Sequence, residues 1–88
     1  MARKNRQALM KTLTMYFKRI ASDVLHVDCD AETIEKYAKI GKRMIANQKG
    51  AKLREHLNDL TYLFGGEFGM TIATDELVAT LLDEIGRK

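Results

Sequence analysis

Apolar residues recur every three or four positions in four separate stretches of this chain, and proline is absent throughout. At 100° per residue, that spacing places the apolar side chains of each stretch on one side of an α-helix. Proline breaks helix interiors, so its absence favours long uninterrupted helices. The pattern predicts an all-α fold, a compact bundle of about four amphipathic helices at approximately 5–25, 31–48, 51–64 and 75–85.

The first predicted helix has the most regular apolar stripe. The stripe consists of Leu9, Leu13, Tyr16, Ile20 and Val24, and Phe17 lies at its edge. After a polar break, Asp30 is placed to accept hydrogen bonds from the free N–H groups of the second helix. The sequence thus predicts which side of helix one is buried and where helix two begins.

Glycines mark two positions where packing is expected to be close. Gly41 falls within the apolar side of the second helix, where glycine costs about 1 kcal/mol of helix propensity relative to alanine. We expect a neighbouring helix to approach it closely. Residues 65–69 form the only glycine-rich loop, and we expect it to fold Phe68 and Met70 back towards the core.

The chain length and composition predict one domain spanning residues 1–88. At 45% apolar and 31% charged residues, the composition is that of an ordinary globular domain. No linker or internal repeat divides the chain. A domain of 88 residues has a modest hydrophobic core. Small domains commonly gain further stability when copies associate, so a homodimer is one expectation.

Residues 26–30 contain the densest group of metal-capable side chains, with one His, one Cys and two Asp. The paired Cys or His spacing of zinc sites is missing. A calcium loop starting at Asp28 would need Gly and Glu where Thr33 and Lys39 stand. The sequence therefore predicts a polar turn and no metal site.

Catalytic and cofactor motifs are also missing from the sequence. The glycine-rich loop fits neither a phosphate-binding loop nor a dinucleotide fingerprint. Ser22 is the only serine and has no evident base, and Cys29 has no evident partner beyond His26. We predict that the protein is not an enzyme and uses no cofactor.

The net charge of +3 conceals a strong asymmetry along the chain. Residues 1–54 carry 13 basic and 5 acidic side chains, whereas residues 55–88 carry 2 basic and 7 acidic ones. The resulting charges of +8 and −5 indicate either a polyanionic partner or docking between the two halves.

The basic side chains give the first functional hypothesis, a small regulatory protein that binds nucleic acid through a basic face on helices one and two. Lysines and arginines neutralise phosphates and release counterions. A shared face requires that the two helices turn their basic sides the same way. The predicted binding residues are Lys4, Lys11, Lys18, Lys36, Lys39, Arg43, Lys49, Lys52 and Arg54.

The alternative is a protein-interaction module, such as an inhibitor, an immunity protein or an adaptor. It would use either the basic face or the acidic C-terminal helix. Met15 and Ile40 interrupt the polar sides of the first two helices, which suits a mixed apolar and basic interface. Association of the first helix with a membrane surface ranks third, because Tyr16 and Phe17 are needed by the core.

Two further features concern location. No run of 18 apolar residues is present, so we expect no membrane span. The single cysteine cannot form an internal disulfide, and a reducing cytoplasm is the simplest expectation.

Overall fold

The structure, a computed structural model, describes the backbone of residues 2–86 and the side chains of residues 8–86. It is all-α and 78% helical, and residues 2–86 contain no strand, so the predicted fold class is confirmed. The chain forms α1 (Ala2–Arg19), a π-helical turn (Ile20–Leu25), α2 (Ala31–Asn47), α3 (Gly50–Gly66) and α4 (Asp75–Glu84).

A π turn ends the first helix and changes which residues are buried there. Ile20 and Leu25, five positions apart, both enter the core, whereas Val24 is 41% exposed. The prediction that Val24 lies on the inner stripe is wrong. The reason is the wider π turn. Because its hydrogen bonds join residues i and i+5, the next buried position after Ile20 is Leu25 and not Val24. His26 follows in a left-handed conformation (φ 54°), and its N–H donates to the carbonyl of Ala21.

Consecutive helices are neighbours in space, and α4 also packs against α1. Neighbouring helices approach Gly41 closely, as expected. A Cβ at this position would lie 3.2 Å from Leu13 Cδ2 and 3.5 Å from Leu60 Cδ2. Gly41 therefore lets leucines of α1 and α3 pack directly on the backbone of α2.

Aromatic rings fill the centre of the bundle. Phe17 has no exposed surface, and its ring centroid lies 4.9 Å from that of Phe64, 5.0 Å from Tyr16 and 5.7 Å from Tyr37. The prediction that Phe17 sits at the edge of the buried stripe is therefore wrong. Because rings from α1, α2 and α3 converge on it, Phe17 occupies the middle of the core.

The loop after α3 folds back over the end of that helix. The Met70 N–H donates to the Gly65 carbonyl at 3.0 Å, and a Cβ at Gly65 would lie only 2.9 Å from the Met70 carbonyl oxygen. Phe68 is half-buried against Phe64, and Ile72 is buried. Met70 is exposed, so the expectation that it folds inward is wrong. The hydrogen bond turns the Met70 backbone towards α3 and its side chain towards solvent.

Helix α2 begins as the sequence predicts. Asp30 is its N-cap residue, and its Oδ1 accepts a hydrogen bond from the Thr33 N–H at 3.1 Å. The hydrogen bonds from Thr33 hold the pKa of the Asp30 carboxyl below its ordinary value. At α4, Thr74 occupies the N-cap position, but its side chain makes no capping hydrogen bond.

Candidate functional site

Three basic residues of α2 form a stripe on its solvent side, and we name Lys36, Lys39 and Arg43 the α2 stripe. All three side chains are exposed. They lie opposite Ala38 and Gly41, which are buried. From Lys36 to Arg43 the helix rises about 10 Å, so the stripe covers two helical turns.

Acidic residues interrupt this stripe. Lys39 Nζ lies 3.0 Å from Glu35 Oε1, four positions earlier on the same helix. Glu32 and Glu35 line the same shallow depression of the surface as the α2 stripe and Ile40. The i to i+4 spacing of Glu35 and Lys39 is visible in the sequence and predicts such a pair. The local positive charge is therefore smaller than the basic residues alone suggest.

Tyr37 connects the α2 stripe to the core. Its ring lies 5.7 Å from Lys36 Nζ, and its hydroxyl donates a hydrogen bond to the Leu63 carbonyl at 3.4 Å. Burial, together with the nearby Glu67 carboxylate, raises the pKa of Tyr37 to about 12. The hydroxyl therefore stays protonated at neutral pH and acts as a structural donor.

The first helix carries a second stripe, named the α1 stripe, of Lys4, Lys11 and Lys18. Lys11 and Lys18 are exposed, and the side chain of Lys4 lies outside the described part of the chain. Both described lysines point away from Leu13, which contacts Gly41 of α2. The α2 stripe likewise lies opposite Gly41. The two stripes therefore lie on far sides of the α1–α2 contact and do not form one flat face.

The basic residues around the link between α2 and α3 also diverge. Lys49, Lys52 and Arg54 are all exposed. Lys52 and Arg54 are two positions apart on α3, so their side chains point about 160° away from each other. At most one of them extends the α2 stripe. Lys49 precedes α3 directly and stands near the end of α2.

The acidic C-terminal helix forms an ion pair with a basic residue of α1 that is not among the predicted binding residues. α4 packs against α1, and Arg19 Nη1 lies 3.6 Å from Glu84 Oε1. Arg19 does not belong to either stripe. Among the side chains of residues 8–86, no predicted binding residue forms an ion pair with an acidic residue of the C-terminal part.

The polar turn between α1 and α2 contains a shielded thiol. Cys29 is half-buried, and burial, with the charges of Asp30 and Glu67, raises its pKa. A raised pKa disfavours the reactive thiolate. Within the described side chains, no three His, Cys, Asp or Glu residues come together as a group that could hold a metal ion.

A surface groove that the sequence analysis missed runs between the end of α1 and α4. It comprises a depression of about 700 Å³ and another of about 230 Å³, which share Val24 and Leu77. We name it the Val24 groove. Met70 and Ile72 line the larger depression, and Tyr16 lines the smaller one. No sequence signal indicates this groove, because it depends on the π turn and on the path of the loop before α4.

Comparisons of the chain with protein families, with curated proteins and with solved structures found no match. None of the helices in the described part of the chain is both long and apolar enough to cross a bilayer.

Proposed function

We propose that this protein is a non-enzymatic regulatory protein that binds nucleic acid through the α2 stripe. The observation that carries the proposal is the exposure of Lys36, Lys39 and Arg43 on one side of one helix. Only Lys39 of the three forms an ion pair within the described side chains. Lys36 and Arg43 therefore do not have to break an ion pair there in order to contact phosphates.

The dimensions of the α2 stripe suit a phosphate backbone. Its length of about 10 Å equals about three base-pair steps along the axis of duplex DNA. Lys49 is also exposed and follows the end of α2 by two residues. The α1 stripe lies on a different side, so a rigid duplex that contacts α2 does not reach it at the same time. We expect about three to four phosphate contacts and binding with little preference for sequence.

Fluorescence anisotropy with mixed-sequence duplex DNA and with single-stranded RNA, at several salt concentrations, tests the proposal. Three phosphate contacts predict a log–log salt slope of about −2.7 on DNA. The variant Lys36→Gln, Lys39→Gln, Arg43→Gln is expected to lose affinity about tenfold and to flatten the slope.

The matched control keeps every charge, with Lys36→Arg, Lys39→Arg and Arg43→Lys. Because phosphate contacts depend mainly on charge, we expect this variant to keep the wild-type slope. Circular dichroism of both variants checks that the helices are intact. An affinity unchanged by the glutamine substitutions, or the absence of binding at low salt, would contradict the proposal.

A further inference from the structure

The Val24 groove exposes apolar surface because of the π turn. In a regular helix Val24 would follow Ile20 on the buried side, but the turn buries Leu25 in its place. π turns are rare and often mark functional sites. The next residue, His26, adopts the left-handed conformation that is uncommon outside glycine. The backbone thus departs from regular geometry at the point where it forms one wall of the groove.

The rim of the groove is acidic, in contrast to the chain as a whole. Its charged side chains are Asp23, Asp75, Glu76, Glu84 and Arg19. Arg19 is held by Glu84 at 3.6 Å. Asp23, Asp75 and Glu76 are exposed and form no ion pair within the described side chains. The groove therefore suits an occupant with one or two apolar side chains flanked by positive charges.

The outer side of α1 has this chemistry. Met15 is 49% exposed, and Lys11 and Lys18 stand four positions before it and three positions after it. At those spacings the three side chains share one side of the helix. They extend over about 10 Å, the same length as the α4 wall from Leu77 to Glu84. Neither lysine forms an ion pair within residues 8–86.

We propose that the occupant of the Val24 groove is a second copy of this chain, which inserts Met15 between Val24 and Leu77. Lys11 and Lys18 of the second copy then face the carboxylates of the rim. Met15 cannot enter the groove of its own chain, because its side chain points to the lysine side of α1, whereas Tyr16 and Ile20 line the groove from another side of the helix. The contact must therefore form between chains.

The contact is heterologous, because it joins two different surfaces of the chain, the Met15 side of one copy and the Val24 groove of the other. The contact uses neither Lys36 nor Arg43, so it does not rest on nucleic-acid binding. Since its ion pairs are exposed, added salt is expected to weaken it.

Sedimentation equilibrium of the full chain, without nucleic acid, tests this association. The expected result is concentration-dependent self-association of the chain, which Met15→Ala weakens at least fivefold. Leu63→Ala is the matched control, because Leu63 is also exposed, at 60%, but lies on α3 away from the groove. A chain that stays monomeric up to about 1 mM, the scale of binding free energies near −4 kcal/mol, would overturn the proposal.

A charge-reversal experiment identifies the two surfaces that meet. The variant Lys11→Glu, Lys18→Glu reverses the α1 side, and the variant Asp75→Lys, Glu76→Lys reverses the rim. Each variant alone is expected to be monomeric, because like charges then face each other. Mixed in equal amounts, the two are expected to associate with each other, because every contact between unlike variants regains opposite charges. Failure of the mixture to associate, with both variants folded by circular dichroism, would overturn the proposal.

Other occupants of the groove give different results. If a different protein with a basic amphipathic segment occupies it, the chain alone stays monomeric, and the proposal fails. If copies associate through Tyr62 and Leu63, the exposed apolar residues of α3, Leu63→Ala weakens the association and Met15→Ala does not, and the proposal fails as well.

Discussion

The hydroxyl groups of Tyr16 and Thr61 lie 2.7 Å apart in the buried core, where a hydrogen bond joins α1 to α3. Tyr16 is 8% exposed and Thr61 is 1% exposed, so neither hydroxyl has water as an alternative partner. Burial raises the pKa of Tyr16 to about 12 in spite of the hydrogen bond between Tyr16 and Thr61. The pair is therefore neutral over the physiological range and contributes to stability by satisfying both buried groups.

A double-mutant cycle measures this contribution. Tyr16→Phe leaves the Thr61 hydroxyl without a partner, and Thr61→Val does the same to Tyr16. Each single substitution is expected to lower the free energy of unfolding by about 1–3 kcal/mol. The double variant is expected to be more stable than the sum of the two losses predicts, since it leaves no buried hydroxyl unpaired. Urea denaturation gives the three values, and strictly additive losses would contradict the coupling.

Two adjacent glycines at the end of α3 are expected to respond in opposite ways. In Gly65→Ala the new Cβ meets the Met70 carbonyl oxygen at 2.9 Å, and this backbone atom cannot turn away. The expected loss of stability is about 1–3 kcal/mol. Gly66 has no atom within 4 Å of its hypothetical Cβ, and Gly66→Ala is expected to be neutral or to gain up to about 1 kcal/mol. Thermal unfolding of both variants tests the contrast.

Truncation of core leucines and isoleucines is expected to unfold much of the population. Leu13, Ile20 and Leu60 are buried, and replacing any of them by alanine should cost about 2–5 kcal/mol. A domain of this size has about 5–10 kcal/mol of stability in total. Lys18→Gln is the control, because an exposed side chain changes stability by no more than about 0.5 kcal/mol. Identical denaturation curves would refute the assignment of the core.

The N-cap of α2 makes stability depend on acidic pH. Since the pKa of Asp30 is lowered in the folded chain, its contribution is present above the unfolded pKa, near 3.8. It is lost as the pH falls through the lower folded value. In Asp30→Asn the amide oxygen caps the helix without titrating, so this part of the acid dependence should disappear. Melting temperatures between pH 2 and 6 (about the range in which carboxyls titrate) test this, and equal acid profiles would contradict it.

The Glu35–Lys39 pair predicts a gain of nucleic-acid affinity. Glu35→Gln removes one negative charge from the α2 stripe and releases Lys39 from its partner at 3.0 Å. Because the pair is exposed, we expect stability to change by less than about 0.5 kcal/mol. The affinity for duplex DNA is expected to rise severalfold at low salt and to become more salt-dependent. The control is Glu55→Gln on α3, which makes the same change of net charge. An equal gain from both variants would mean that only the net charge matters.

Periodicity in the sequence predicts α2 almost completely. Ile34, Tyr37, Ala38 and Ile45 lie on one side of the helix and are buried, and Asp30 begins the helix. These features could be predicted because they depend on 3.6 residues per turn and on a hydrogen bond between residues three positions apart. The α2 stripe follows from the same rule, because a residue opposite the buried side of a helix points to solvent.

The errors fall where residues distant in sequence decide the outcome. Within its own helix Phe17 lies at the edge of the apolar stripe, but rings from α2 and α3 pack around it. Val24 fitted the apolar period, yet the π turn moved Leu25 into its place. A helix forms a π turn when the side chains that the turn buries fit the core better than the side chains that a regular α-helix would bury. That preference depends on the neighbouring helices, and the local pattern contains no information about them.

The sequence by itself determined the number of helices, their buried sides, the cap of α2 and the outward direction of each basic stripe. The tertiary structure alone decided that the two stripes lie on different sides of the α1–α2 contact and that a groove with an acidic rim opens beside Val24. The physical reason is that helix periodicity is a local property, with a range of a few residues. The relative orientation of helices depends on contacts such as that of Leu13 with Gly41, which join residues 28 positions apart in the chain.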